Sequence, residues 1–158
     1  MSLNVRRVVT GHDEQGRAVV LFDDAGGEVV SKRPRHQSAV MWSTDRLPAN
    51  NDGEADAARR AVGTFEPGGS VFRIIRFEPG NTGRDHRTDS LDYVIILEGA
   101  IDLDLDGQTV HLRRGDVVVQ RGTMHNWVNR GSEPCVMAVV LIGAEPVQVA
   151  GRTLETIG

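Results

Sequence analysis

Five histidines are the side chains best suited to do chemistry near neutral pH: His12, His36, His86, His111 and His125. An imidazole there can move a proton or hold a divalent ion. Position separates the five. His12 sits in a turn-rich run and His36 follows the basic run Lys32-Arg33-Pro34-Arg35, so both are expected at the surface. His111 alternates outward between Val110 and Leu112. His86 and His125 each open a strand after a glycine-containing loop, where side chains reach a pocket. Covalent catalysis finds little footing. No Gly-x-Ser-x-Gly elbow occurs, and the single cysteine, Cys135, begins an apolar run and reads as a small buried hydrophobe. No glycine-rich phosphate loop precedes a helix.

The elements that must position these residues read as strands. Apolar runs at 5–9 and 18–22 flank a turn-rich loop and predict an N-terminal hairpin. Further strands are expected at 38–43, 71–77 and 92–97, with Val40 and Trp42 on one face of the first. At 100–105 apolar and acidic residues alternate, turning Ile101, Leu103 and Leu105 toward a core. Asp106-Gly107 makes the turn, and 108–112 returns with Val110 and Leu112 on the same inner face. Strands at 117–120 and 125–129 follow. The run 136–142 is apolar on both faces and belongs inside a sandwich. One segment breaks the pattern: residues 54–61 carry good helix formers with Asp52 as a cap, inside a Gly/Pro/Asn-rich excursion over 45–70. The sum is an all-β sandwich or barrel.

Composition bounds the partners. The chain has 158 residues, with 18 Lys and Arg against 22 Asp and Glu, a net charge of −4. That size makes one domain over 1–158 and buries a core without disulfides. The acidic balance excludes a nucleic-acid scaffold. No apolar stretch is long enough to span a bilayer, no leader is visible, and one cysteine fits a reducing compartment, so a cytoplasmic protein is expected.

Residues 71–143 resemble the cupin superfamily. The first cupin motif is matched by Gly80, five residues, His86-Arg87-Thr88, three residues, Asp92, six residues and Gly99. The second is matched by Gly115-Asp116, a short apolar run, Gln120-Arg121-Gly122-Thr123-Met124-His125, three residues and Asn129. The resemblance implies a double-stranded β-helix, jelly-roll-like, here with strands over 4–44 as an N-terminal hairpin extension. It also implies a divalent ion (iron, zinc, manganese or nickel) held by His86, Asp92 and His125. Thr88 stands where the family has a second histidine and would hydrogen-bond a bound water. Gln120 replaces the motif proline, and Asp92 a longer glutamate.

Two imidazoles and one carboxylate survive. They suit either a metal with open positions or a metal-free acid/base pair of His86 and Asp92. Thr88, Trp42, Gln120 and Trp127 are the expected pocket residues beside them. The implied function is an enzyme on a small polar or carbonyl-bearing metabolite: a metal-dependent lyase, isomerase or dioxygenase. The competing reading is a metal-free module that only binds a small ligand. A homodimer is expected, because the N-terminal strands would otherwise leave an open edge.

Overall fold

The computed structural model describes residues 2–158. Its strands are β1 Arg7–His12, β2 Ala18–Asp24, β3 Val29–Arg33, β4 His36–Thr44, β5 Ser70–Phe77, β6 Ser90–Glu98 and β7 Ala100–Leu105. They continue with β8 Gln108–Arg113, β9 Val117–Arg121, β10 Asn126–Val128, β11 Cys135–Gly143, β12 Gln148–Val149 and β13 Arg152–Thr153. A six-stranded antiparallel sheet of order β3-β4-β5-β11-β6-β9 faces a three-stranded sheet of order β10-β7-β8. The β1-β2 and β12-β13 hairpins stand apart as two-stranded sheets. The all-β, jelly-roll-like architecture expected from strand spacing and from the resemblance is present.

The central strand β11 shows why the sheets stack. Its odd positions, Cys135, Met137, Val139 and Leu141, enter the core between the sheets beside Ile96, Ile101, Leu103 and Leu112. Its even positions meet a second cluster of Leu3, Ala39, Met41 and Ile74 on the outer face. A strand apolar on both sides is what a doubly covered position requires. Gly99 makes the tight β6–β7 turn at φ 69°, where a Cβ would collide with the Pro134 carbonyl.

Several expectations need correction. Leu112 is buried but Val110, on the same face of β8, is 39% exposed, because that end of the strand overhangs the core. Val40 lines the interior whereas Trp42 does not, since a register shift between them breaks their common face. β3 is a strand where a basic loop was expected: Arg35 takes φ 59° and closes a tight turn that pairs Arg33 with His36. The expected helix over 54–61 is one 3₁₀ turn, Ala57–Arg59, capped by Asp56 rather than Asp52. Tertiary contacts override propensity there. The buried Arg7 guanidinium holds both Asp56 oxygens, at 2.7 and 3.0 Å, and Ser43 Oγ donates to the Ala57 carbonyl at 2.7 Å. Arg60 then turns extended, and residues 58–64 run along the wall of an interior cavity.

Candidate functional site

The inward face of β6 carries the polarity gradient that defines the site. Val94 and Ile96 belong to the core, whereas Asp92, Ser90 and, just before the strand, Thr88 are buried polar groups on the same face. They bond in series. Ser90 Oγ donates to Asp92 at 2.7 Å, and with its proton so placed Thr88 donates to Ser90 at 2.8 Å.

His86 and His125 meet across the mouth of this face. Their backbones form an isolated antiparallel bridge through two 3.0 Å hydrogen bonds, and their ring centroids lie 4.1 Å apart. The loop carrying His86 is fixed by asparagines. Buried Asn129 bonds the Phe77 and Glu133 carbonyls, Asn81 bonds Trp127 O and Asn129 N, and Asn126 accepts from Arg84 N. Each imidazole is oriented the same way. Nδ1 of His86 donates to Arg84 O and Nδ1 of His125 to Thr123 O, both at 2.9 Å. That pairing puts the proton on Nδ1 and leaves the Nε2 lone pairs free. Gln120 packs behind, its amide on the Thr123 carbonyl at 3.1 Å.

His86, Asp92, His125 and Trp127 all line one cavity of about 1260 Å³. Thr88 and Gln120 are buried and tied to Ser90 and Thr123, and neither they nor Trp42 belong to the lining. Sequence reasoning missed other lining residues. His36 was expected at the surface, yet it opens β4 half-buried, its ring 5.2 Å edge-on to Phe77. Arg33, Arg73 and Arg84 also face the cavity. One signal was available: Arg73 shares its parity with Val71, Ile75 and Phe77, a charge in an otherwise apolar inward row.

Burial sets the electrostatics. It pushes the Asp92 carboxyl up to about 6, against the opposing hydrogen bond from Ser90. It pulls His125 down to about 4, helped by the neighbouring His86, and lowers His86 too. His36 also falls to about 4, from burial and then from Arg33. All three imidazoles are neutral at pH 7, and Asp92 titrates close below it. Cys135, buried in the core and pushed up to about 12, stays an unreactive thiol.

The donor set falls short of the implied metal centre. Two Nε2 atoms are available, but the third donor is a Thr88 hydroxyl committed to Ser90, and Asp92 is bonded to Ser90 in a desolvated site. Among the described residues no three His, Cys, Asp or Glu side chains come close enough to hold an ion. The residues present do not fit a complete first shell.

The fold is a jelly-roll-like β-barrel whose interior cavity carries a polar, imidazole-rich patch. Residues 73–142 match the Cupin domain family model. The chain is 37% identical to phomopsin biosynthesis cluster protein D of Diaporthe leptostromiformis, covering 94% of this chain and 83% of that one. It is 36% identical to the cupin-domain-containing oxidoreductase fogC of Aspergillus ruber (96% and 78%) and 37% identical to srdD of the same description from Neurospora crassa (94% and 81%). In structure it is similar to KdgF from Halomonas sp., with a TM-score of 0.52 at 17% identity over 73% of this chain and 86% of that one. A RmlC-like cupin from Shewanella frigidimarina gives 0.51 at 14% identity, over 75% and 85%. The chain belongs to the cupin family.

Proposed function

We propose that the chain is a small cupin enzyme that moves protons on a polar, carbonyl-bearing metabolite inside the barrel. One observation carries this reading: two neutral imidazoles with free Nε2 atoms and a carboxyl titrating near 6 line the same cavity. At pH 7 both imidazoles are unprotonated and able to accept a proton through Nε2, and a carboxyl at about 6 is protonated in roughly one molecule in ten, enough to act as an acid. The matched step is removal of a proton beside a carbonyl by His125 or His86 while Asp92 protonates or hydrogen-bonds the carbonyl oxygen. Isomerisation and dehydration both pass through that enolisation. Because the donor set is incomplete, no step is routed through a metal.

Two of the relatives are described as cupin-domain-containing oxidoreductases, whereas the proton transfer assigned here involves no change of oxidation state. The test is deuterium uptake. Small hydroxy-ketones and aldehydes are incubated with protein in D₂O and followed by proton NMR. Exchange that is lost in His125→Asn supports an enzyme. Binding without exchange for every compound supports the metal-free binding module instead.

We also propose that the chain works as a homodimer. The outer face of β6 and β9 exposes Tyr93, Ile95, Leu97, Val117 and Val119, and β9 pairs only with β6, leaving a free edge. A patch of that kind on a sheet edge is the type of surface a two-fold contact covers.

A further inference from the structure

The same cavity carries a second set of groups with different chemistry. Arg33, Arg73 and Arg84 line it together with His36, and none of the three guanidinium groups has a carboxylate partner among the described residues. The other charges on the lining are accounted for. Arg59 pairs with Asp56, and Arg60 reaches Asp45 and Glu66 at 3.8 and 4.0 Å. Lys32 is exposed, and the two lining carboxylates are Glu28 and Asp92.

Two of the three also carry an unsatisfied donor, although Arg73 donates its Nη2 to the Gly63 carbonyl. Nε of Arg73, Nε of Arg84 and Nδ1 of His36 are buried polar atoms with no hydrogen-bond partner. Unpaired buried donors are costly, and several on one wall mark a place where an acceptor is missing. Guanidinium forks match the oxygens of a carboxylate, which they grip in bidentate fashion. The same cavity also carries an apolar lining of Ile75, Phe77, Val94, Met137 and Val139. That lining suits a hydrocarbon body and disfavours a strongly hydrated phosphate.

We propose that Arg33, Arg73, Arg84 and His36 form a subsite for the carboxylate of an organic acid whose apolar body rests on that lining, with its carbonyl over His86, His125 and Asp92. The carbonyl half rests on the proton-transfer reading above; the anion subsite stands on the arginines alone. The substrate class is therefore a small aromatic or alkyl acid carrying a carbonyl.

The test is calorimetric titration of the intact protein with benzoate, benzamide and inorganic phosphate. Benzoate is expected to bind at least tenfold more tightly than benzamide, and Arg84→Gln and Arg33→Gln to weaken benzoate about tenfold each without affecting benzamide. Arg84→Lys, which keeps the charge, is expected to retain part of that affinity. Thermal melts confirm that each variant is folded; Arg33, half-exposed at the end of β3, serves if Arg84→Gln unfolds. Equal binding of benzoate and benzamide, or unchanged benzoate affinity in both Gln variants, overturns the subsite. Phosphate binding more tightly than benzoate overturns the carboxylate assignment. A benzoate preference in a protein that exchanges no deuterium leaves the subsite standing and removes the catalytic reading. Exchange without a benzoate preference does the reverse.

Discussion

His86 and His125 are joined twice, by a pair of 3.0 Å backbone hydrogen bonds and by rings whose centroids lie 4.1 Å apart. Each also donates Nδ1 to the carbonyl two residues before it, at the same 2.9 Å. The two histidines are thus oriented by main-chain carbonyls, with the Gln120 side-chain amide also 3.1 Å from His125 Nδ1. Pre-set orientation of this kind is what a base needs to act without reorganising.

The first prediction follows from that orientation. His125→Asn removes the Nε2 base while Asn can still approach the Thr123 carbonyl. Deuterium exchange is expected to fall by about 10² to 10⁴. The melting temperature is expected to stay close to the parent's, because the β11 core packs independently of the ring. An exchange rate within threefold of the parent would assign the base elsewhere.

Asp92 gives a pH signature. Its carboxyl sits at about 6 in the folded chain against 3.8 in the absence of burial, so the folded state binds its proton more tightly. Its contribution to stability is full below 3.8 and is lost as pH rises through 6. His125 and His36, at about 4 instead of 6.5, behave oppositely: theirs is full above 6.5 and lost as pH falls toward 4. Asp92→Asn removes only the first contribution. The variant is expected to be more stable than the parent at pH 8, by up to about 3 kcal/mol, and no more stable at pH 4. Urea titrations at the two pH values measure the difference.

The strands, the order of the motifs and the meeting of His86, Asp92 and His125 on one cavity were legible because period-two alternation and loop glycines are local signals. Ile101 and Leu103 are buried as their alternation requires, and Tyr93, out of phase with Asp92, is 47% exposed. The arginine set was not legible in the same way. Arg33, Arg73 and Arg84 come from β3, β5 and the loop before β6, and only sheet order brings them to one wall. His36 was misplaced because its neighbours in sequence are basic, whereas its neighbours in space are Phe77 and the cavity. The 3₁₀ turn was overestimated because its length is set by Arg7, about fifty residues away in sequence.

Arg7 carries the third prediction. Its side chain is 5% exposed and meets Asp24 at 2.7 Å and Asp56 at 2.7 Å. Asp56→Ala removes one partner of a buried charge and the cap of the 3₁₀ turn together. A loss of roughly 3 kcal/mol is expected, with faster amide exchange over residues 58–64, which line the cavity. Unchanged exchange there would show that other contacts hold the segment.

The outer sheet face carries the fourth. Val119 pairs with Tyr93 and Val117 with Ile95, and Val117 is 68% exposed. A charge at the centre of this face, Val119→Asp, is expected to raise the dimer dissociation constant at least tenfold, because an unpaired carboxylate is poorly tolerated in a buried contact. Light scattering that shows the parent as a monomer at micromolar concentration would end the proposal.

The last prediction tests the family's ligand arrangement directly. Thr88 occupies the position of the second motif histidine, buried on the same inward face as Asp92, with its hydroxyl turned to Ser90. With only two free imidazole nitrogens, the parent is expected to retain little zinc or manganese after chelator treatment and gel filtration. Thr88→His adds a third imidazole beside His86 and His125 and is expected to bring retention toward one ion per chain. Adding His125→Ala to that variant is expected to abolish it, since a three-nitrogen set cannot spare one donor. Thr88→Val is expected to leave metal content unchanged and to shift Asp92 instead. Thr88 supplies the proton that satisfies Ser90 while Ser90 serves the carboxylate, so its removal weakens the one bond that lowers the Asp92 pKa. Elemental analysis reads the first three outcomes, and carboxyl titration by NMR the fourth. If Thr88→His holds no more metal than the parent under saturating zinc, position 88 does not present its side chain to the histidine pair.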